Sequence, residues 1–311
     1  MSARLVITGA SGQLGRRVAE LVLAQGSLRQ GSVASEARSH KCSHKSASVI
    51  LVTRNPRALD SLAAQGADVR HGDFSEPGSL RAAFAGGERL LLVSATDLQH
   101  RTAQHATAIA AAKAAGVQHV IYTSGLAPAP PNPAVVAPSH YATEQALATS
   151  GLRWTVLRNS LYADYQLAEA TRAIETGVLV HNRGDGRVAY VAHEDCAAAA
   201  AAMLIASGHE GQRYDITGPE AFSAADLATL YAELGGKSVT ARALDDAAFV
   251  AGLVGGAAED DHLRYGAELV ASFGRSIREG YMESCTDSVA RLTGRAARPL
   301  RSVLEVLRSP W

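Results

Sequence analysis

The sequence predicts an α/β fold built on a doubly wound parallel sheet, with a smaller C-terminal α/β lobe. Three observations lead there. Short β-branched runs alternate with alanine-rich helical stretches through the first half of the 311-residue chain, the pattern of βαβ units. The runs LVIT, VILVT and RLLLVS are nearly continuous in apolar residues, as strands covered on both faces must be. A glycine-rich stretch, VITGASGQLGRRV, joins the first apolar run to the first helical one.

Taken in order, strands are predicted at 4–8, 49–53, 67–71, 89–93, 119–123 and 153–158. Helical patterns fill the gaps at 14–25, 56–65, 79–84, 103–115 and 142–149. After Arg158 the rhythm changes to helices near 164–175, 195–205, 224–234 and 302–307, separated by short strands at 213–217 and 238–242. This divides the chain into residues 1–158 and a smaller lobe formed mainly by 159–311, with segments returning to the sheet. One stretch breaks the rhythm. Residues 27–48, SLRQGSVASEARSHKCSHKSAS, are serine-rich and without either periodicity, which reads as an exposed, flexible insertion. Its His40, Cys42 and His44 alternate along the chain with no fourth ligand in sight, so no metal site is predicted.

Bulk properties narrow the class. Thirty basic and thirty acidic residues balance, which gives no electrostatic footprint for nucleic acid or an anionic membrane. No apolar run approaches the roughly 20 residues of a membrane span, and MSARLVITG lacks a signal peptide's long apolar stretch. Three scattered cysteines, Cys42, Cys196 and Cys285, suggest reduced thiols in a cytoplasmic protein. A homodimer is left open.

The glycine segment places Gly9, Gly12 and Gly15 in the pattern G-x-x-G-x-x-G, after a strand and opening a helix. Glycines there permit a tight turn and close approach to a pyrophosphate, and the helix N-terminus offers unpaired N–H groups. Ser11, Gln13 and Leu14 belong to the same turn. Which dinucleotide is bound is read at the end of the second strand, where a carboxylate would hold the ribose hydroxyls of NAD. VTRNP supplies none. Arg54 can instead pair with a 2′-phosphate, with Arg57 and Ser11 as helpers, so NADP(H) is favoured over NAD(H). The ends of later strands should pass along the cofactor, which brings in Asp73, Phe74, Ser94, Ala95, Thr123 and Ser124.

Taken together, ITGASGQLG, VTRNPRAL, LAAQGADVRHGDF, AAKAAGVQHVIYTS, LRNSLYADY and AAAAAAMLIASGHEGQRYDITG resemble the NmrA-like, atypical short-chain dehydrogenase/reductase group. Within it the resemblance is to the NADPH-dependent quinone oxidoreductases and the related triphenylmethane-dye reductases. It runs from Leu5 to about Leu307, and departs from the pattern at 27–48 and near 255–278. It implies a Rossmann domain, a small lobe and a substrate cleft between them.

The segment SHYATEQAL carries the chemistry. In Tyr-x-x-x-Lys reductases a lysine one helical turn beyond the tyrosine lowers its pKa so that it can protonate an alkoxide. Here Tyr141 is followed at that spacing by Gln145, which carries no charge. Ser124 and Tyr141 do not complete the triad. Reduction of a quinone yields a phenolate, whose conjugate acid has a pKa of about 10, against roughly 15.7 for water, to which an alkoxide is comparable. Such an acceptor needs mainly position and orientation for direct hydride transfer. If a side chain assists, His140 is the better candidate than Tyr141, with Glu144 four residues on to orient it. The resemblance implies a histidine and a glutamate at these positions. Equally, Ser139 or His140 could cap the helix.

Substrate contacts are expected from Gly125, from the proline-rich segment 126–139 that starts at Leu126, and from Asn159, Tyr162 and Tyr165 after the sixth strand. Aromatic walls suit a flat ring, although the two tyrosines could equally be core residues. The expected function is NADPH-dependent hydride transfer to a quinone or related polycyclic aromatic substrate. Two alternatives stand beside it: an oxidoreductase that tailors aromatic natural products with oxygen-dependent hydroxylation, and a non-catalytic NADP-binding redox-sensing regulator.

Overall fold

The computed structural model describes residues 4–34, 48–255 and 260–308. The first half runs β1 (Leu5–Ile7), α1 (Gln13–Ala34), β2 (Val49–Thr53), a 3-10 turn (Pro56–Leu59) leading into α2 (Asp60–Ala63), β3 (Asp68–His71), α3 (Pro77–Phe84), β4 (Arg89–Leu92), α4 (Arg101–Ala114), β5 (His119–Gly125), α5 (Ala137–Thr149) and β6 (Arg153–Asn159). A second 3-10 turn (Ala163–Tyr165) opens the remainder. It is followed by α6 (Gln166–Thr176), β7 (Val178–His181), α7 (His193–Ile205), β8 (Gln212–Ile216), α8 (Ala224–Gly235), β9 (Thr240–Ala243), α9 (Asp246–Val254), α10 (Asp261–Arg278), α11 (Ser288–Thr293) and α12 (Leu300–Arg308).

Seven strands form a parallel sheet in the order β3-β2-β1-β4-β5-β6-β8. β1 is flanked on both sides in matching register, Leu5 opposite Val49 of β2 and opposite Arg89 of β4. The order reverses between β1 and β4, so the crevice for a ligand opens at the carboxyl ends of these strands. Because both faces are covered by helices, β1 and β2 are buried along their whole length. Val6, Ile50, Leu90, Val120 and Val156 pack together with Leu80 and Phe84 of α3 and Ile109 of α4. The expected Rossmann-like architecture is therefore present. β7 and β9 make a separate two-stranded parallel ladder, Val178 opposite Thr240.

The chain divides into two compact units. One comprises Met1–Ser124, Ala142–Leu157 and Cys196–Tyr214; the other comprises Gly125–Tyr141, Arg158–Asp195 and Asp215–Trp311.

The structure corrects three local expectations. The irregular insertion expected from residue 27 does not begin there, since α1 continues to Ala34. Extending an established helix costs far less than starting one, so serine and glycine are tolerated in its last turns. Residues 35–47, with His40, Cys42 and His44, lie outside the described residues. Second, α5 begins at Ala137 rather than 142, with Pro138 in its first turn, the one part of a helix where a missing N–H costs little. Ser139 and His140 therefore sit inside the helix and do not cap it; His140 N already donates to Val136 O at 3.2 Å. Third, β7, α9, α10 and α11 are additional elements that the sequence pattern did not mark.

Candidate functional site

The glycine turn is built as the pyrophosphate-binding pattern requires. Gly9 has φ +59°, a conformation that side-chain-bearing residues disfavour. A Cβ on Gly15 would lie 2.3 Å from Gly9 O, so α1 can pack against the turn only through glycine. Gly12 N donates to Gly9 O at 2.9 Å, and Arg16 N to Gly12 O at 2.9 Å. Gly9, Ser11, Gly12 and Gln13 are exposed, while Leu14 and Gly15 are buried beneath them. Helical bonding starts only at that point, so the first N–H groups of α1 face an open surface. This is an anion cradle.

The end of β2 is tied to this turn. Thr53 Oγ1 donates to Ser11 Oγ at 2.8 Å, and Asn55 N donates to Thr53 Oγ1 at 3.1 Å. Arg54 emerges from the same place, exposed, and makes no ion pair or hydrogen bond among the described residues. No carboxylate occupies the strand end. After β3, Asp73 accepts from Ser75 N at 2.8 Å and its own N–H is met by Ser79 Oγ at 3.0 Å. Its carboxylate shapes the loop, and Phe74 beside it is half-buried, edge-on to His105 with ring centroids 6.3 Å apart.

The loop after β4 is fixed from below. Ser94 N donates to Thr123 Oγ1 at 3.0 Å. Ala95 is held at both backbone groups: its N–H donates to His105 Nε2 at 2.9 Å, and its carbonyl accepts from Arg101 Nε at 2.6 Å. Since His105 Nε2 accepts, the ring proton is on Nδ1, which reaches Thr143 Oγ1 at 2.9 Å. Burial, reinforced by the Arg101 charge, lowers the His105 pKa to about 3, which keeps the ring neutral and able to accept.

At the end of β5, Ser124 Oγ donates to Glu144 Oε1 at 2.8 Å. Glu144, only 1% exposed, also accepts from Arg213 Nε at 3.0 Å, and the Arg213 guanidinium lies 4.5 Å from the Trp154 ring centroid. The faces of α5 separate its residues cleanly. His140, Thr143, Glu144 and Leu147 are buried, whereas Tyr141 (36% exposed) and Gln145 face solvent.

His140 lines a small pocket in the second unit, with a cavity volume of about 30 Å³, together with Gly125, Leu126, Asn159, Phe273 and Met282. That is room for a single water-sized group. A Cβ on Gly125 would come within 3.2 Å of His140 Cδ2, so the ring lies close against the glycine backbone. Asn159 is 8% exposed; its Nδ2 donates to Tyr162 OH at 3.2 Å, and its buried Oδ1 has no partner. Tyr162 packs edge-on to His193 at 4.9 Å and to Tyr165 at 5.9 Å. Tyr165 itself is 63% exposed and absent from the pocket lining. The proline-rich segment is pinned by Asn132, whose Nδ2 donates to Ala127 O at 2.8 Å and whose Oδ1 accepts from Ala134 N at 2.9 Å.

Sequence patterns miss four of these residues. Thr53 ties Ser11 to the end of β2, Arg101 and His105 hold the Ala95 backbone, and Arg213 meets Glu144 from 69 positions away. The only signal available was the one-turn spacing of Arg101 and His105 on α4. Among the described residues no group of His, Cys, Asp and Glu could hold a metal ion, and no helix is long and apolar enough to cross a membrane.

Comparison with known proteins agrees with this fold. The model of an NAD(P)H-binding family matches residues 30–206. Quinone oxidoreductase 2 of Escherichia coli (strain K12) is 39% identical over 249 residues, 80% of each chain, and an NAD(P)H azoreductase of Xenophilus azovorans is 28% identical, covering 79% of this chain and 85% of the relative. Among solved structures, the Escherichia coli NADPH-dependent quinone oxidoreductase in complex with NADPH superposes with a TM-score of 0.84 at 34% identity, covering 97% of this chain and 99% of that one. The Citrobacter sp. triphenylmethane reductase in complex with NADP(H) gives 0.83 at 31%, with the same coverage. An anion cradle on a parallel sheet, a family model across more than half of the chain and these relatives lead to one conclusion: the chain belongs to the NAD(P)H-binding family and is an NmrA-like oxidoreductase.

Proposed function

We propose that this enzyme transfers a hydride from NADPH to a quinone or a related polycyclic aromatic, without a Ser-Tyr-Lys triad. The observation that carries this is the orientation of α5: Tyr141 and Gln145 face solvent, while His140 and Glu144 are on the buried side. The names of the quinone oxidoreductase, azoreductase and triphenylmethane reductase relatives support an electron-poor aromatic acceptor.

The bound reduced nicotinamide supplies the hydride. The chain's own residues bind and orient. Gly9, Ser11, Gly12, Gln13, Leu14 and Gly15 offer their turn and helix N-terminus to the pyrophosphate. Arg54 would pair with a 2′-phosphate, which favours NADP(H) over NAD(H). Asp73 and Phe74 would flank the adenine, and Ser94, Ala95, Thr123 and Ser124 would hold the ribose and nicotinamide. Glu144 and Arg213 act through Ser124, fixing its hydroxyl direction.

On the substrate side, Gly125, Leu126 and Asn159 meet the ring, with Tyr162 held by Asn159. With its amide turned over, Asn159 accepts from Tyr162 OH and presents Nδ2 to a quinone carbonyl, which resolves its orphaned polar atom. His140 supplies a proton to the departing phenolate or leaves that task to solvent, since a phenolate of conjugate-acid pKa about 10 survives at neutral pH. Tyr165 shields the rim.

Anaerobic stopped-flow mixing of the NADPH-loaded protein with a panel of quinones tests this. The expected result is oxidation of one NADPH per hydroquinone formed. Binding of NADPH with no oxidation across the panel supports the redox-sensing regulator instead, and substrate-dependent oxygen uptake in air supports oxygen-dependent tailoring.

A further inference from the structure

The second unit contains a pocket of about 540 Å³ that the proposed reaction does not use. Its size falls in the range of small-molecule sites, roughly 300–1,000 Å³. Helices α6, α9 and α10 and the β7–β9 ladder build it. On α6, Glu169, Arg172, Ala173 and Thr176 face it at one-turn spacing. From the ladder, Val178, Leu179 and Val180 line it, with Arg242 of β9 and Leu244 just beyond that strand. From α9, Phe249, Gly252 and Leu253 close it.

The lining is unfinished in two respects. α9 reads DAAFVAGLV and has no buried residue, although a helix apolar all round normally has a partner on every side. Leu253 and Val270, both on the lining, are 40% and 48% exposed. The second respect is charge. Arg172 and Arg242 are exposed and have no carboxylate partner among the described residues. Glu169, the acid of the lining, is already engaged by Arg183 and by Tyr231 OH. The pocket therefore pairs an apolar wall with uncompensated positive charge.

We infer that this pocket binds a small amphipathic carboxylate: an aliphatic or aryl body against α9 and the β7–β9 ladder, with its single carboxylate on Arg172 and Arg242. A neutral or cationic ligand with the same body leaves both guanidinium groups unpaired and gains nothing from them.

The test uses the full chain and the fluorescent probe 8-anilinonaphthalene-1-sulfonate, displaced in turn by dodecanoate, 4-phenylbenzoate, dodecanol and dodecyltrimethylammonium. Either carboxylate should displace the probe at least about fivefold more strongly than alcohol or ammonium, as one charge-assisted contact at a partly exposed site allows. Comparing the two carboxylates separates an aliphatic from an aryl body. In the variant R172Q/R242Q this preference should vanish. Gly252→Phe should abolish displaceable binding, because a Cβ at Gly252 meets nothing within 4 Å and the ring fills the pocket without disturbing the helix. NADPH oxidation should be unchanged in all three proteins, which separates this site from the proposed reaction. Equal displacement by all four compounds overturns the proposal, as does undiminished binding in a folded Gly252→Phe protein.

Discussion

Arg213 Nε lies 3.0 Å from Glu144 Oε2 and joins a residue of β8 to the buried side of α5. The pair is asymmetric: Arg213 is about one-third exposed and stacked on Trp154, whereas Glu144 is almost wholly buried and shared with Ser124. Removing the arginine takes a charged partner from a buried carboxylate. The full cost of such a loss is about 3–5 kcal/mol, reduced here because solvent reaches the guanidinium. Arg213→Met is expected to destabilise the protein by about 2 kcal/mol. Adding Glu144→Gln should recover part of that, giving a nonzero coupling in a double-mutant cycle by denaturant unfolding. Additive losses would show that the pair is not an energetic unit.

Specificity for the cofactor is expected to rest on Arg54. Its guanidinium has no partner among the described residues to lose, so Arg54→Ala should leave stability unchanged within about 0.5 kcal/mol. The KM for NADPH should rise about tenfold or more, the worth of a charge-assisted contact to phosphate. Kinetics with NADH should stay within about twofold, because no 2′-phosphate is present. Steady-state rates with both cofactors decide it; an equal loss for each would place Arg54 outside the 2′-phosphate site.

The roles of Tyr141 and His140 separate by exposure. Tyr141→Phe should keep kcat within about threefold, since the hydroxyl projects from an exposed position and no lysine tunes it. His140→Ala is expected to lower kcat for a quinone by about tenfold, below the usual range for general acid catalysis because solvent can also deliver the proton. A change in Tm with kcat intact would make His140 a packing residue.

The contrast between β2 and Arg213 shows why the sheet was legible in the sequence and the site only partly so. Val49–Thr53 is buried at every residue, and a strand covered on both faces is written almost entirely in apolar letters, so its boundaries were readable to the residue. The glycine turn was readable for a related reason, because Gly15 has no room for a Cβ. α9 was not readable, since its apolar residues show no polar face to mark a period. The start of α5 is hard to place because a proline-rich run suggests irregular chain, whereas Pro138 sits in the first turn of the helix. The partners of Ala95 and Glu144 belong to a further class. They are chosen by tertiary geometry: beyond the one-turn spacing of Arg101 and His105, no local pattern marks His105, and none distinguishes Arg213 from any other arginine.

His105 also makes stability depend on pH. Its pKa is lowered by burial from 6.5 to about 3 in the folded protein; His119, likewise buried, falls to about 4. Below 6.5 the unfolded chain takes up protons that the folded chain refuses, so stability is full above pH 6.5 and is lost as pH falls toward these lower values. Each ring contributes a slope of about 1.4 kcal/mol per pH unit within its window. The loss should also be local. A proton on His105 Nε2 would confront the Ala95 N–H that it now accepts, so NADPH affinity should weaken as acid denaturation approaches, ahead of global unfolding. His105→Gln is expected to cost about 1–3 kcal/mol at pH 7.5 through its lost hydrogen bonds, and to flatten the stability profile between pH 6.5 and 4 by about one ring's slope. Thermal unfolding and NADPH titration across that range measure both effects. An unchanged slope in the variant would mean that His105 is protonated in the folded protein after all, and that the Ala95 loop is held by something other than a neutral imidazole.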